Sequence, residues 1–335
     1  MARKLAAAVA CAAVPALAAA PLALAAPGGI GPPAPATDSG AAINQVYWVV
    51  FAACAVVFVA IEAALILFIV RFRRRPDRPA DDEGPQIHGN TRLEIIWTLV
   101  PAVALLAIAV FTFARTPAVQ AGSDGDDALT VRVESHQFYW QYVYPNGAVS
   151  LDVLRLPVDR PVRLELVAWD VAHSWWVPEL TGKRDAIPGQ TNVLEFTPKR
   201  TGTFEGKCAE LCGVQHAVMD TSVEVVGQAG FERWVAMARE QPPEALGEQE
   251  WQAACAKCHG AEGEGDIGPP IAGNGTLTNR QALIRLLSRG QDTPGLEGYM
   301  PPVGLGWTGR QYDALIAYVR SSDQLRPPQG GAGGG

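Results

Sequence analysis

Two long apolar runs, a stretch of strict alternation and a last stretch of helical periodicity succeed one another along the chain. The first run, VYWVVFAACAVVFVAIEAALILFIVRF at 46–72, makes a helix of roughly 40 Å, enough to cross a bilayer with tilt. The second extends from Leu93 to about Ala114; Thr91 and Glu94 at its start have capping-box spacing, and Pro101 predicts a kink. Beyond it, ALTVRVE, VSLDVLRL, VRLELVAW, NVLEFTP and TSVEVV alternate apolar with polar positions between Gly, Pro, Asn and Asp turns. That pattern predicts an antiparallel β-sandwich over 115–227. Residues 228–243 predict a short amphipathic helix and a proline break, a linker into a last domain at 244–322 that closes on the helical pattern TGRQYDALIAYVRS. Residues 323–335 predict a disordered tail.

Ahead of these elements, Arg3 and Lys4 precede an Ala/Leu/Val run and LALAAP, the layout of a signal peptide over 1–26 cut after residue 25 or 26. A retained first helix is the alternative, and Pro15 and Pro21 make it a poor span. Residues 27–42 are a Pro/Gly-rich flexible lead-in. The two spans occupy 43–114, and Arg71, Arg73, Arg74, Arg75, Arg78 and Arg92 between them place the loop in the cytoplasm and both chain ends on the outer face of the cell membrane. Composition agrees with an anchored protein: 48% of residues are hydrophobic and 18% charged, with the apolar ones concentrated in the first third. A net charge of −7 argues against a nucleic-acid partner. Glu62, the one charged residue inside the first span, is either a proton-path group or a carboxyl bonded at a helix interface.

Six cysteines in 335 residues do not make a disulfide scaffold, and four of them sit in two chemically distinct runs. KCAELCGVQHAVM carries Cys208, Cys212, His216 and Met219. Soft thiolates suit copper, imidazoles from His173 and His216 complete a strong site, and Met219 offers a weak thioether. Two bridging thiolates can hold two copper ions. A Cys208–Cys212 disulfide is the alternative outside the cytoplasm, but it gives no reason for a histidine four residues on and a methionine seven on. The second run, CAKCHG, fits the haem c attachment pattern, with Cys255 and Cys258 as thioether donors and His259 as the proximal ligand. A redox disulfide or half a zinc site are its alternatives; the absence of any later cysteine or histidine argues against zinc. Downstream, only Met300 in GYMPPVG can supply a distal sulfur, and a His/Met pair favours an electron-transfer haem.

DVAHSWWVPELTGKRDAIPG and GTFEGKCAELCGVQHAVM, together with HGNTRLEIIWTLVP and HQFYWQYVYP, resemble subunit II of haem-copper cytochrome c oxidases over residues 43–226. WQAACAKCHG and the Met300 segment resemble a class I cytochrome c domain. The resemblance implies a multidomain membrane protein with a two-helix transmembrane hairpin, a cupredoxin-like antiparallel β-sandwich and an all-α class I cytochrome c domain. It implies that Cys208 and Cys212 bridge the two copper ions of a CuA centre, that His173 and His216 bind one each, and that Met219 and the backbone carbonyl of Glu210 are weak ligands. The Glu210 side chain matches a carboxylate at a magnesium or manganese site shared with subunit I; Glu94 matches one at the mouth of a proton path, alongside its capping role. Phe138 departs from the many members that carry Trp there, where electrons from soluble cytochrome c come in.

The function so implied is electron transfer from an external donor through haem c and CuA to subunit I, where oxygen is reduced. Subunits I and III are the implied membrane partners, and external cytochrome c or the cytochrome bc complex the donor. The covalent haem domain then acts as a tethered donor at high effective concentration. Acidic side chains outnumber basic ones in both soluble parts, which steers a basic donor at low salt or simply keeps the domains soluble. A quinol-oxidase subunit would lack the copper ligands, a copper-delivery protein would not need a haem, and a nitrous-oxide-reductase module would lack the two-span anchor.

Overall fold

The computed structural model describes residues 31–73, 86–120, 127–292 and 299–327; the expected signal peptide and the loop arginines 74, 75 and 78 lie outside them. The chain divides into two compact units, one formed by 41–120 and the other by the rest.

In the first unit, helices α1 (Asp38–Phe72) and α2 (Thr91–Gln120) each outrun the apolar stretch that predicts them. Both are long and apolar enough to cross a membrane, with mean hydropathies of 2.9 and 2.4, and Phe58, Leu67 and Leu105 face outward unburied. The cap of α2 lies one residue earlier than expected. Asn90 Oδ1 accepts from the Leu93 amide at 3.2 Å, and Glu94 Oε1 accepts from the Asn90 amide at 3.2 Å. Asn caps at least as well as Thr, so the reciprocal pair forms on Asn90 instead of Thr91. Pro101 and Pro117 both lie inside α2, which continues through them.

The sandwich stacks two five-stranded sheets, built from β1 (Leu129–His136), β2 (Tyr139–Val143), β3 (Val149–Leu151), β4 (Val153–Pro157), β5 (Val162–Ala168), β6 (His173–Trp176), β7 (Arg184–Ala186), β8 (Asn192–Phe196), β9 (Gly202–Cys208) and β10 (Asp220–Val226). Their orders are β3-β2-β1-β5-β8 and β4-β10-β9-β6-β7. Alternation shows directly in β5, whose residues are buried and half-buried by turns, so Val162, Leu164 and Leu166 enter the core beside Trp140 and Trp175. The expected antiparallel pairing holds except at β1–β5 and β4–β10, which run parallel. Period-two burial reports which face a residue occupies and says nothing of strand direction.

The lead-in is not loose where the structure describes it. The Ala36 amide donates to the Glu179 carbonyl at 2.7 Å, the Lys199 amide to the Ala36 carbonyl at 2.8 Å, and Thr37 Oγ1 to the Leu180 carbonyl, with Ala36 and Thr37 buried.

After β10, α3 (Gln228–Glu240) lays Phe231 and Ala238 into the sandwich core, with Trp234 edge-on to Tyr144 at 4.9 Å. Pro242 precedes α4 (Pro243–Glu250), and a π-helical turn at Trp251–Cys255 leads into α5 (Ala256–His259); α6 (Arg280–Arg289) and α7 (Gly309–Ser321) complete the last domain. The all-α expectation misses one short ladder, β11 (Gln291–Asp292) with β12 (Tyr299–Met300). The tail too is ordered at its start: Leu325 is buried, and its carbonyl accepts from the Gly273 amide at 3.1 Å. Two sandwich residues, Tyr139 and Leu151, pack in the hydrophobic core of this C-terminal domain.

Candidate metal centres

Strand register sets up the first centre. β6 begins on His173 and β9 ends on Cys208, and the two strands are paired, Trp175 opposite Cys208. The chain then loops out and returns through a 3-10 turn at His216–Val218, and the Cys208 amide closes the loop by donating to the Met219 carbonyl at 2.9 Å. Cys208 Sγ thereby lies 3.8 Å from His173 Nδ1, 3.9 Å from Cys212 Sγ and 3.2 Å from the Glu210 carbonyl oxygen. Cys212 Sγ lies 3.6 Å from His216 Nδ1 and 3.7 Å from Met219 Sδ. All the donor atoms that the sequence singles out for copper meet in one place. The donor atoms of His173, Cys208 and Cys212 are within 4.8 Å of one another, and all three residues are buried. The two sulfurs are unbonded in this structure, 3.9 Å apart.

The electrostatics favour negative charge on one of the two sulfurs. A hydrogen bond from Cys212 draws the Cys208 thiol well below the usual range against the cost of burial, with His173 helping, so Cys208 is the first of the pair to become a thiolate. Burial opposes charge on His173, but hydrogen bonds to Asp170 and Cys208 outweigh it and raise its pKa. Sulfur, imidazole and carbonyl donors with no carboxylate in direct reach form a set for a soft or borderline metal.

Three nearby residues escape the sequence reading. Asp170 Oδ1 sits 2.9 Å from His173 Nε2 and holds the ring with Nδ1 toward the sulfurs. Gln137 Nε2 donates to the Cys212 carbonyl at 2.6 Å, bracing the loop. His136 is fully buried and stacks on Tyr139 at 4.6 Å; neither ring nitrogen has a partner among the described residues, and burial pushes its pKa down to about 3, so it stays neutral. The only sequence signal for Asp170 is its place three residues ahead of His173.

The Glu210 side chain is half exposed and lies 3.5 Å from Lys183 Nζ. Glu94 belongs to the unit of the two long helices, where it is the partner in the α2 cap.

The second centre lies around α5. Cys255 and His259 are buried and Cys258 is partly exposed. His259 Nδ1 donates to the Pro269 carbonyl at 2.7 Å, which fixes the ring and leaves Nε2 as the free donor. Gly268 allows this approach, since a Cβ there would come within 2.9 Å of His259 Cε1. Met300 is presented by the short ladder, opposite Gln291, and packs against the same apolar cluster that contains Cys255. Gly290 lies at φ +69°, and a Cβ on it would fall 2.3 Å from the Met300 carbonyl, so the ladder closes only with glycine there. Two thiols on one helical turn, a pinned imidazole and a thioether are the donors that a covalent haem requires.

Three family models and several named relatives match this chain. Residues 26–114 match the family described as cytochrome c oxidase subunit II, transmembrane domain, 149–226 its periplasmic domain, and 242–319 the family described as cytochrome c oxidase, cbb3-type, subunit III. Cytochrome c oxidase subunit 2 of Alkalihalophilus pseudofirmus is 36% identical over 290 residues, covering 80% of this chain and 83% of that protein. The Cereibacter sphaeroides protein of the same name is 31% identical over 242 residues, 58% of this chain and 77% of the relative. Among solved structures, the periplasmic domain of subunit II of cytochrome oxidase from Bradyrhizobium japonicum is 30% identical, with a TM-score of 0.34, and covers 36% of this chain and 99% of that one. With the anchor, the sandwich and the haem-attachment domain in one polypeptide, this chain belongs to the cytochrome c oxidase subunit 2 family, the members of which serve in a haem-copper oxidase, and it carries a cytochrome c domain of its own.

Proposed function

We propose that this chain takes electrons one at a time from a donor outside the membrane and passes them through a covalent haem c and then a two-copper CuA centre to subunit I, where oxygen is reduced. The observation that carries the proposal is the convergence of His173, Cys208, Cys212, His216, Met219 and the Glu210 carbonyl on one spot, with His173, both cysteines and Met219 buried. Bound there and at α5, paired copper and haem iron supply reversible one-electron chemistry.

The residues of the chain supply position. Cys208 and Cys212 would hold the two copper ions together with His173 and His216, and buried Met219 would add a weak thioether while keeping water out. Asp170 orients His173 and the Pro269 carbonyl orients His259, the second layer of bonding that sets ligand direction and basicity. Cys255 and Cys258 would attach a haem c, and His259 and Met300 would be the residues that hold its iron. The exposed carboxyl of Glu210 would exchange its Lys183 contact for a magnesium or manganese ion shared with subunit I, and Glu94 serves the mouth of a proton path as well as the α2 cap. On this reading the redox domains, 115–227 and 244–322, lie on the outer face, subunit III joins subunit I in the membrane, and external cytochrome c or the cytochrome bc complex is the donor; the arginine-rich loop supports that sidedness.

Metal and haem analysis of the purified membrane complex tests the reading. Copper at twice the amount of this chain, one thioether-bound haem per chain and co-isolation with a larger haem-bearing subunit are expected. A single copper, or a haem removed by acidic acetone, overturns it.

A further inference from the structure

Lys257 lies between the two cysteines of CAKCHG, yet its side chain reaches into the sandwich. Its Nζ donates to Asp152 Oδ2 at 2.6 Å and to the Phe138 carbonyl at 3.0 Å. In return, Gln215 of the copper-binding loop donates from Nε2 to the Lys257 carbonyl at 2.8 Å. Gln215 directly precedes His216, and Lys257 directly precedes Cys258. One hydrogen bond therefore joins the backbone of the haem-attachment run to the residue beside a proposed copper ligand.

The receiving cradle is built before Lys257 enters it. Asp152 Oδ1 accepts from the Trp140 amide at 2.8 Å, and the Asp152 carbonyl accepts from the Ser222 amide and from Thr221 Oγ1, each at 2.9 Å. The Lys257 and Asp152 side chains retain 22% and 24% exposure, so the ion pair is screened less than a surface one. The contact also has support around it. Tyr139 hydroxyl donates to the Val303 carbonyl at 2.6 Å and accepts from the Trp307 indole at 2.7 Å, and Gln311 Nε2 donates to Gln141 Oε1 at 2.7 Å.

We infer that Lys257 and Gln215 are positioning residues that clamp the haem-attachment segment onto the copper-binding loop, holding donor and acceptor in one fixed dock and closing the Phe138 carbonyl face to any separate electron carrier. The inference rests on the haem and copper assignments proposed above. In the step it serves, one electron leaves the iron and one enters the copper pair; no proton moves and no bond is made or broken. An external donor then meets the haem domain, because Lys257 already covers the Phe138 carbonyl.

The test uses the whole oxidase with Gln215→Leu, Lys257→Met and the double substitution. Amide hydrogen exchange over 137–141 and 256–259 in the resting complex reads the dock without turnover. Removing one charge-assisted or amide hydrogen bond shifts the open population about tenfold, so each single variant should exchange about tenfold faster there. Haem-to-copper electron transfer after rapid photoreduction of the haem should slow in the same variants, and the double variant should fall short of the summed single effects, as expected of separate bonds that hold one dock as a unit. Unchanged exchange and unchanged transfer in both single variants overturn the clamp. The substitutions act from opposite domains, so if one fails to fold, the other still decides. Failure of the ligand assignments shows separately, as missing haem or copper absorption in the unsubstituted oxidase.

Discussion

Cys212 Sγ, like Cys208 Sγ, has three donors around it, and lies close to Cys208, His216 and Met219 at once. Cys212→Ser should abolish the paramagnetic resonance of one unpaired electron shared by two copper nuclei; a persisting shared splitting refutes the bridging role. Met300 is the only sulfur outside the attachment run that the C-terminal domain offers downstream of His259, so Met300→Ala should convert a low-spin His/Met haem spectrum to another form, and an unchanged spectrum removes Met300 as ligand. Asp170 acts through His173, and Asp170→Asn should lower copper affinity about 10- to 100-fold, read by competition with a chelator. The donors were legible because sulfur and imidazole at these spacings have few other uses. Asp170 and Lys257 were not, because a carboxylate near a histidine and a lysine between cysteines are commonplace until their partners, which lie elsewhere in the chain for Lys257, are known.

Helix α4 ends on a carboxyl that the surroundings do not welcome. Glu250 is fully buried, and neither oxygen has a hydrogen-bond partner among the described residues. Burial pushes its pKa up to about 9, with Gln311 and Arg310 pulling the other way. The folded state therefore binds the proton more tightly than the unfolded chain does. Stability is fully present below the unfolded pKa near 4.5 and is lost as pH climbs toward 9. Glu250→Gln, which stays neutral, should gain on the parent by about 1.4 kcal/mol per pH unit across that window. Denaturant unfolding at pH 5 and pH 8 checks it, and a constant difference between the two proteins would count against the buried neutral acid. The sandwich strands were readable from period-two alternation, since burial on one face leaves a repeating mark, and both long helices from the length of their apolar runs. The parallel pairing of β1 with β5, the hold of 36–37 on the sandwich and the burial of Leu325 left no such mark, because each depends on a partner distant in sequence.

At the scale of the whole chain, removing residues 244–335 should cripple oxidation of external donors, measured as oxygen uptake; a truncated oxidase that turns over at the full rate argues against electrons passing through the haem domain. The same deletion would uncover Tyr139 and Leu151, which lie in the core of the domain removed, so the shortened chain should also lose solubility in detergent. Tyr139 thus belongs to the sandwich by sequence and to its neighbour by packing. Its hydroxyl is held at Val303 and Trp307, on the far side of the seam. A cytochrome module borrowed from another oxidase would arrive without a socket for that ring. Recombination between family members should therefore succeed only when the swapped block reaches back far enough to include Tyr139, Gln141 and Leu151, which makes the heritable part of this electron carrier larger than the part that looks like one.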